Sequence, residues 1–186
     1  ISCDIVAIGA YWNDQARSQS GEAYVYRAID DRLNFSSWNG LGGYDVALEG
    51  DLFVVGSHDA VYVMHGNSTQ KLLTQTLVGV DGLGRAGSVS GDKIVVGALG
   101  AAYVYIKEDV YVETHKFMGE DDFGFDVAVS PKFIVVGAQD SVYVFDAVSF
   151  SQRKKLTGER DFGRAVAVFD DFIVVGAPDS EDGAGA

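Results

Sequence analysis

The sequence predicts an all-β fold of four-stranded antiparallel blades in tandem, on three observations. A short apolar run closing on glycine recurs, as FVVGS ending at Ser57 and as IVVGA ending at Ala98, Ala138 and Ala177. Its glycines, Gly56, Gly97, Gly137 and Gly176, lie 41, 40 and 39 residues apart. A second landmark keeps the same register: GYDVAL from Gly43, GRAGSV from Gly84, GFDVAV from Gly124 and GRAVAV from Gly163. A third, a Tyr-Val pair before a large apolar residue, starts at Tyr62, Tyr103 and Tyr143. A period near 40 with four strands per unit is the signature of a β-propeller.

The unit at 122–160 displays the elements most plainly. Asp126–Ser130 reads as a first strand and Pro131-Lys132 as its turn. Phe133–Gly137 is the second strand, Val142–Asp146 the third and Gln152–Thr157 the fourth. Strands of about five residues joined by short turns pair antiparallel, because parallel neighbours need long crossovers. The second strand is almost wholly apolar, so it is expected to be buried on both faces between neighbouring blades. The third alternates large rings with valine and suits a blade-to-blade interface. The fourth is polar and charged, as an outer edge strand should be.

The other units follow the same plan, with blades at 1–40, 41–81, 82–121, 122–160 and 161–186 of one propeller region. In the first, VAIGA ends at Ala10 and the Tyr-Val landmark starts at Tyr24, so the loop between second and third strands is nine residues longer than in the second unit. The first unit lacks its first strand, and the last stops after its second strand and a loop. Three complete units cannot close a ring. The chain is therefore expected to be an arc of a larger ring, completed by residues absent from it or by another chain.

Composition agrees with this and removes several function classes. Hydrophobic residues make up 47% of the 186, and mean hydropathy is +0.09, as in globular chains. The 23 Gly and only 2 Pro suit many tight turns between short strands. A formal net charge of −13 argues against nucleic acid as partner and against docking on anionic membranes, and is compatible with cation binding. The single cysteine, Cys3, excludes an internal disulfide framework. No apolar run is long enough to span a bilayer, so no direct membrane insertion is expected.

DDFGFDVAVSPKFIVVGAQDSVYVF and RDFGRAVAVFDDFIVVGAPDS resemble FG-GAP repeats, the integrin-α-like propeller family. The Phe-Gly pairs are Phe123-Gly124 and Phe162-Gly163, and Gly176-Ala177-Pro178 gives the full Gly-Ala-Pro. The resemblance extends over the whole chain and weakens earlier, where Leu83-Gly84 and Gly42-Gly43 stand for Phe-Gly. It implies a seven-bladed ring in a secreted or surface protein. It also implies calcium held by an Asp-rich loop between first and second strands, but here those connections are Glu49–Asp51, Ser90–Asp92, Ser130–Lys132 and Phe169–Asp171. They are too short and too poor in carboxylates, and Asp51, Asp92 and Asp171 read as turn formers.

Candidate sites therefore fall elsewhere. Asp179, Glu181 and Asp182 cluster beside Gly183 and would suit Ca²⁺, against the alternative of a solvated loop. Asn13, Asp14 and Glu22 occupy the equivalent loop of the first unit. Tyr11, Trp12, Asn13 and Asp14 on that long loop would contact a protein or glycan ligand, against the alternative of rings folded back over the blade edge. Asn34-Phe35-Ser36 and Asn67-Ser68-Thr69 match the N-glycan acceptor pattern. Catalysis is not expected. His58, His65 and His115 share no repeat position, and Asp45 and Asp126 share one that Ala86 and Ala165 occupy elsewhere. The sequence thus points to a non-catalytic extracellular or cell-surface module for protein interaction, adhesion or structure. A lectin-type glycan binder and a fragment or accessory domain of a propeller enzyme stand as alternatives.

Overall fold

The computed structural model describes residues 5–10, 22–29, 32–39, 43–58, 60–66, 71–79, 82–119 and 122–178. Among them every regular element is a strand, and the strands make five antiparallel sheets. The chain divides into two compact units, Ile1–Gly87 and Ser88–Ala186.

In the first unit, sheet 1 has the order β1 (Ile5–Ala10), β2 (Glu22–Ile29), β3 (Arg32–Asn39). Sheet 2 follows as β4 (Val46–Glu49), β5 (Leu52–Gly56), β6 (Ala60–Gly66), β7 (Lys71–Val78). Sheet 3 is β8 (Ala86–Ser90), whose first two residues close the first unit, then β9 (Lys93–Ala98), β10 (Ala101–Lys107) and β11 (Tyr111–Met118). Sheet 4 of the second unit is β12 (Val127–Val129), β13 (Phe133–Ala138), β14 (Ser141–Asp146), β15 (Gln152–Thr157), and sheet 5 is β16 (Ala165–Phe169), β17 (Phe172–Gly176).

Each four-stranded sheet is a meander in sequence order, as short strands on tight turns dictate. The turns between first and second strands place Gly50, Gly91 and Asp170 at φ 61°, 60° and 51°, and Asp51, Asp92 and Asp171 sit beside them as turn residues. β12 is two residues shorter than the sequence suggests, although backbone bonds to β13 continue past both ends, Gly137 N donating to Asp126 O at 2.9 Å and Ser130 N to Phe133 O at 2.8 Å, with side chains adding to them. Asp126 Oδ1 accepts from its neighbour's amide, Val127 N, at 2.9 Å, and Ser130 Oγ accepts from Phe133 N at 3.1 Å.

A β-bulge recurs at one repeat position, after Val63, Val104 and Val144 of the third strands. The skipped fourth-strand residues are Thr74, Thr114 and Arg153. Both threonine hydroxyls donate to the bulged carbonyl, Thr74 to Val63 O at 2.9 Å and Thr114 to Val104 O at 3.3 Å. Arg153 reaches Asp146 Oδ2 instead, at 2.5 Å. Each bulge lets the outer strand twist away from the stack.

Within each unit a core forms between two successive sheets. In each such pair the earlier sheet meets the later one with its forward face, and the later sheet receives it on its rear face. Sheet 4 offers forward Ala128, Val135 and Phe133, which meet Val166, Val168, Ile173 and Val175 on the rear of sheet 5. Sheet 1 does the same with Ile5, Ala7, Ala23 and Val25 against Val46, Leu48, Phe53 and Val55 of sheet 2. The repeated glycine makes the fit close. A Cβ at Gly137 would collide with the carbonyl oxygen of Gly163, and one at Gly56 with that of Gly84. Gly163 itself has φ 105°, a conformation closed to other residues, so the turn that fills the socket also needs glycine.

β5, β9 and β13 are buried on both faces, as an inner strand should be. β17 departs from that expectation: Phe172 and Val174 are 74% and 65% exposed. They point forward, and no described residue lies against that face.

Candidate functional site

A cleft of about 520 Å³ lies on sheet 4, lined by Gln139, Asp140, Ser141, Tyr143, Lys155, Thr157 and Gly158. The sequence builds it from a hairpin. Gln139-Asp140 is the turn from β13 to β14, and β14 then pairs with β15 so that Ser141 faces Thr157 and Tyr143 faces Lys155. Residues two apart on a strand share a face, which lines these two rungs up along the cleft.

The turn is tightly fixed. Asp140 sits at φ 55°, a conformation aspartate tolerates better than most residues. Its Oδ1 accepts from Asp161 N at 2.7 Å, and its carbonyl accepts from Gly158 N at 3.1 Å. Ser141 Oγ donates to Gln139 O at 3.2 Å. Along the wall, the Lys155 ammonium lies 4.8 Å from the centre of the Tyr143 ring, and Phe123 meets that ring edge-on at 5.0 Å. Sheet 3 repeats the pair, with Lys116 4.8 Å from the Tyr103 ring. An aromatic wall, one ammonium and several hydroxyl and amide groups on a rigid hairpin can hold a polar ligand by stacking and hydrogen bonding. They do not activate a nucleophile, since the Ser141 hydroxyl is buried and committed to a backbone carbonyl.

Of the residues singled out in the sequence, Tyr11, Trp12, Asn13, Asp14, Asn67, Asp179, Glu181 and Asp182 lie outside the described residues. Asn34 lies in β3 opposite Arg27 of β2. Each histidine makes a local contact of its own. His65 is 3.5 Å from Asp51, His115 stacks on Phe150 at 4.9 Å, and His58 meets Tyr44 edge-on at 6.3 Å. Among the described residues no group of three or more His, Cys, Asp or Glu side chains could hold a metal ion.

The shared aspartate position proves to be a joint between sheets. Asp126 Oδ2 accepts from Val166 N at 2.6 Å, and Asp45 Oδ2 accepts from Gly87 N at 2.6 Å. Burial pushes the Asp126 carboxyl above the usual carboxylate range, although the amides of Val166 and Val127 pull it down. The preceding junction, where Ala86 replaces Asp, uses Ser88 Oγ to accept from Val129 N at 3.1 Å. Asp161 and Asp122, before the Phe-Gly landmarks, shape turns: Asp161 Oδ1 accepts from Arg164 Nε at 2.8 Å, and both carbonyls accept amides three residues on.

The sheets and their packing are those of β-propellers, and comparison with solved structures agrees. The chain is similar to the computationally designed Ika8 protein, with TM-score 0.68, 19% identity, and 96% of this chain over 54% of that one. It is similar to the Neurospora crassa Pan2 WD40 domain, with TM-score 0.69, 14% identity, and 93% over 52%. It is also similar to Chaetomium thermophilum Sqt1 bound to the N-terminus of the ribosomal protein L10, with TM-score 0.61, 19% identity, and 83% over 46%. The chain spans about half the length of these propellers. No protein-family model matches the sequence, and no curated protein matches it.

Proposed function

We propose that the chain is an FG-GAP-type propeller segment of an extracellular or cell-surface protein, and that it is a non-catalytic module for binding other proteins. The observation that carries this reading is the sheet 4 cleft, where Tyr143 and Lys155 stand beside a turn fixed by Asp140. The FG-GAP assignment is supported by the Phe-Gly and Gly-Ala-Pro landmarks, and the cell-exterior assignment by the two acceptor sequons at Asn34 and Asn67. A propeller neighbour, Sqt1, is bound to a segment of another protein. A peptide would enter this cleft with a carboxylate or carbonyl toward Lys155 and an apolar side chain against Tyr143.

Selection of a displayed peptide library on the immobilised chain tests this. Enriched peptides should lose at least tenfold in affinity to Tyr143→Ala and to Lys155→Met, and should be unaffected by Lys93→Met, whose ammonium pairs with Asp92 at 2.8 Å away from the cleft. Peptides indifferent to Tyr143 and Lys155 would refute the site. Capture from a glycan array with the same sensitivity would favour a lectin.

A further inference from the structure

We propose that the peptide held by the sheet 4 cleft continues onto sheet 3, where Leu99 and Met118 take an apolar side chain and Lys116 takes a carboxylate. This rests on the reading of the sheet 4 cleft as a peptide site. The corner of the sheet that forms the cleft is built twice. In sheet 4 its rungs are Ser141 opposite Thr157 and Tyr143 opposite Lys155. In sheet 3 they are Ala101 opposite Met118 and Tyr103 opposite Lys116. The bond that closes the corner is repeated too, Gly158 N donating to Asp140 O and Gly119 N to Gly100 O, each at 3.1 Å. Each ammonium stands 4.8 Å from the centre of its tyrosine ring. One backbone frame therefore carries two sets of side chains.

The side chains that differ say what each copy meets. Leu99 and Met118 stand where sheet 4 has the polar Gln139 and Thr157, and they are 57% and 75% exposed. Large apolar side chains left in water favour cover by an apolar group. Gly100 stands in place of Asp140, so the sheet 3 copy keeps the ammonium without the carboxylate. Lys116 lies over the Tyr103 ring and makes no ion pair among the described residues. In a chain of net charge −13, an ammonium repeated at one position and left without a counter-charge is complementary to an acidic ligand group. The two sheets lie side by side, since Phe117 of β11 stacks on Phe145 of β14 at 3.9 Å. Stacked sheets are about 10 Å apart and an extended chain advances about 3.3 Å per residue. The ligand is therefore an extended peptide whose apolar and acidic residues lie about three or four positions from the side chain held at Tyr143.

Peptides selected on the wild-type chain are the probe. Leu99→Gln combined with Met118→Thr copies the sheet 4 side chains onto sheet 3 at exposed positions, so far-UV circular dichroism should be unchanged. This double variant should bind the peptides about tenfold more weakly, the worth of one covered apolar side chain. Alanine at the peptide's apolar position should cost the wild-type chain a similar factor and the double variant almost nothing, because such coupling marks a direct contact. Lys116→Met should weaken peptides that carry the carboxylate and leave their amide analogues unchanged. Peptides that need Tyr143 and Lys155 but bind the double variant as tightly as wild type would overturn the extension and leave the sheet 4 cleft standing. Peptides that need neither Tyr143 nor Lys155, or a selection that enriches no peptide, would remove the cleft and the extension together.

Discussion

Replacing Asp126 by alanine tests the joint between sheets 4 and 5. Its carboxylate accepts amides from two chain positions, Val127 N at 2.9 Å and Val166 N at 2.6 Å. Alanine leaves both without that acceptor, and Val166 is buried. An unsatisfied buried donor costs about 1–3 kcal/mol. A partial offset comes from no longer burying a charge, a cost evident in the raised pKa of Asp126. The net expectation is a loss of about 1–2 kcal/mol from the second unit, which corresponds to an opening equilibrium five- to thirtyfold larger. Hydrogen exchange read by nuclear magnetic resonance locates the effect. The Val166 amide should lose about that factor of protection, while Val55 in the first unit should be unchanged. Asp126→Asn is the control, since its amide oxygen can still accept from Val166 N and should recover part of the protection. An Asp126→Ala chain with wild-type protection at Val166, or an Asn variant as damaged as the Ala variant, would refute the joint.

Glycine sockets should respond according to what fills them. Gly137→Ala forces a methyl into the Gly163 carbonyl and should cost about 1–3 kcal/mol in urea denaturation. Gly176→Ala comes no nearer to any neighbour than 3.3 Å, at the Ala165 Cβ, and should stay within about 1 kcal/mol of wild type. Asp146 is held well below the usual carboxylate range by the Ser149 amide, Arg153 and the Val148 amide. Its contribution is present above the ordinary value of 3.8 and is lost as pH falls below it, so Asp146→Asn should flatten the acid limb of a stability–pH curve. Asp126 has the opposite sign: its raised pKa makes acidification through the range just above 3.8 favour the folded state, and Asp126→Asn should remove that gain. Burial, with Glu113 and Tyr103 nearby, pushes the Tyr105 hydroxyl up to about 12, so Tyr105→Phe should remove one phenol's worth of absorbance change near that pH from an ultraviolet titration.

The blades were legible because a repeat multiplies weak signals. One IVVGA run is ambiguous between strand and helix, but several in one register with the Gly-turn and Tyr-Val landmarks leave only a meander of sheets. The sheet 4 cleft was not legible. Tyr143 and Lys155 stand twelve residues apart, and only the bulge after Val144 decides which fourth-strand residue faces the ring. A reading that paired β14 and β15 without the bulge would shift every rung beyond it to the other face. The joint was half legible. Asp45 and Asp126 were visible as a shared repeat position, but the partner of each is a backbone amide some forty residues away, and amides carry no mark in a sequence.

The alternation at that position sets how successive sheets are joined. Gly43-Tyr44-Asp45 and Gly124-Phe125-Asp126 take turns with Gly84-Arg85-Ala86 and Gly163-Arg164-Ala165, so the sequence repeats over two sheets as well as over one. In the second unit the reason is visible. The Arg164 guanidinium lies 4.4 Å over the Phe125 ring, and Asp126 takes the Val166 amide, so these two contacts join an aromatic-Asp sheet to the Arg-Ala sheet after it, beside the Lys132–Asp171 ion pair at 2.6 Å. The junction from sheet 3 to sheet 4 has Ala86 in place of the aspartate and relies on the Ser88 hydroxyl. Sheet 5 ends with Ala165 and Ala167 at these two positions, so its forward face has neither the carboxylate nor the hydroxyl.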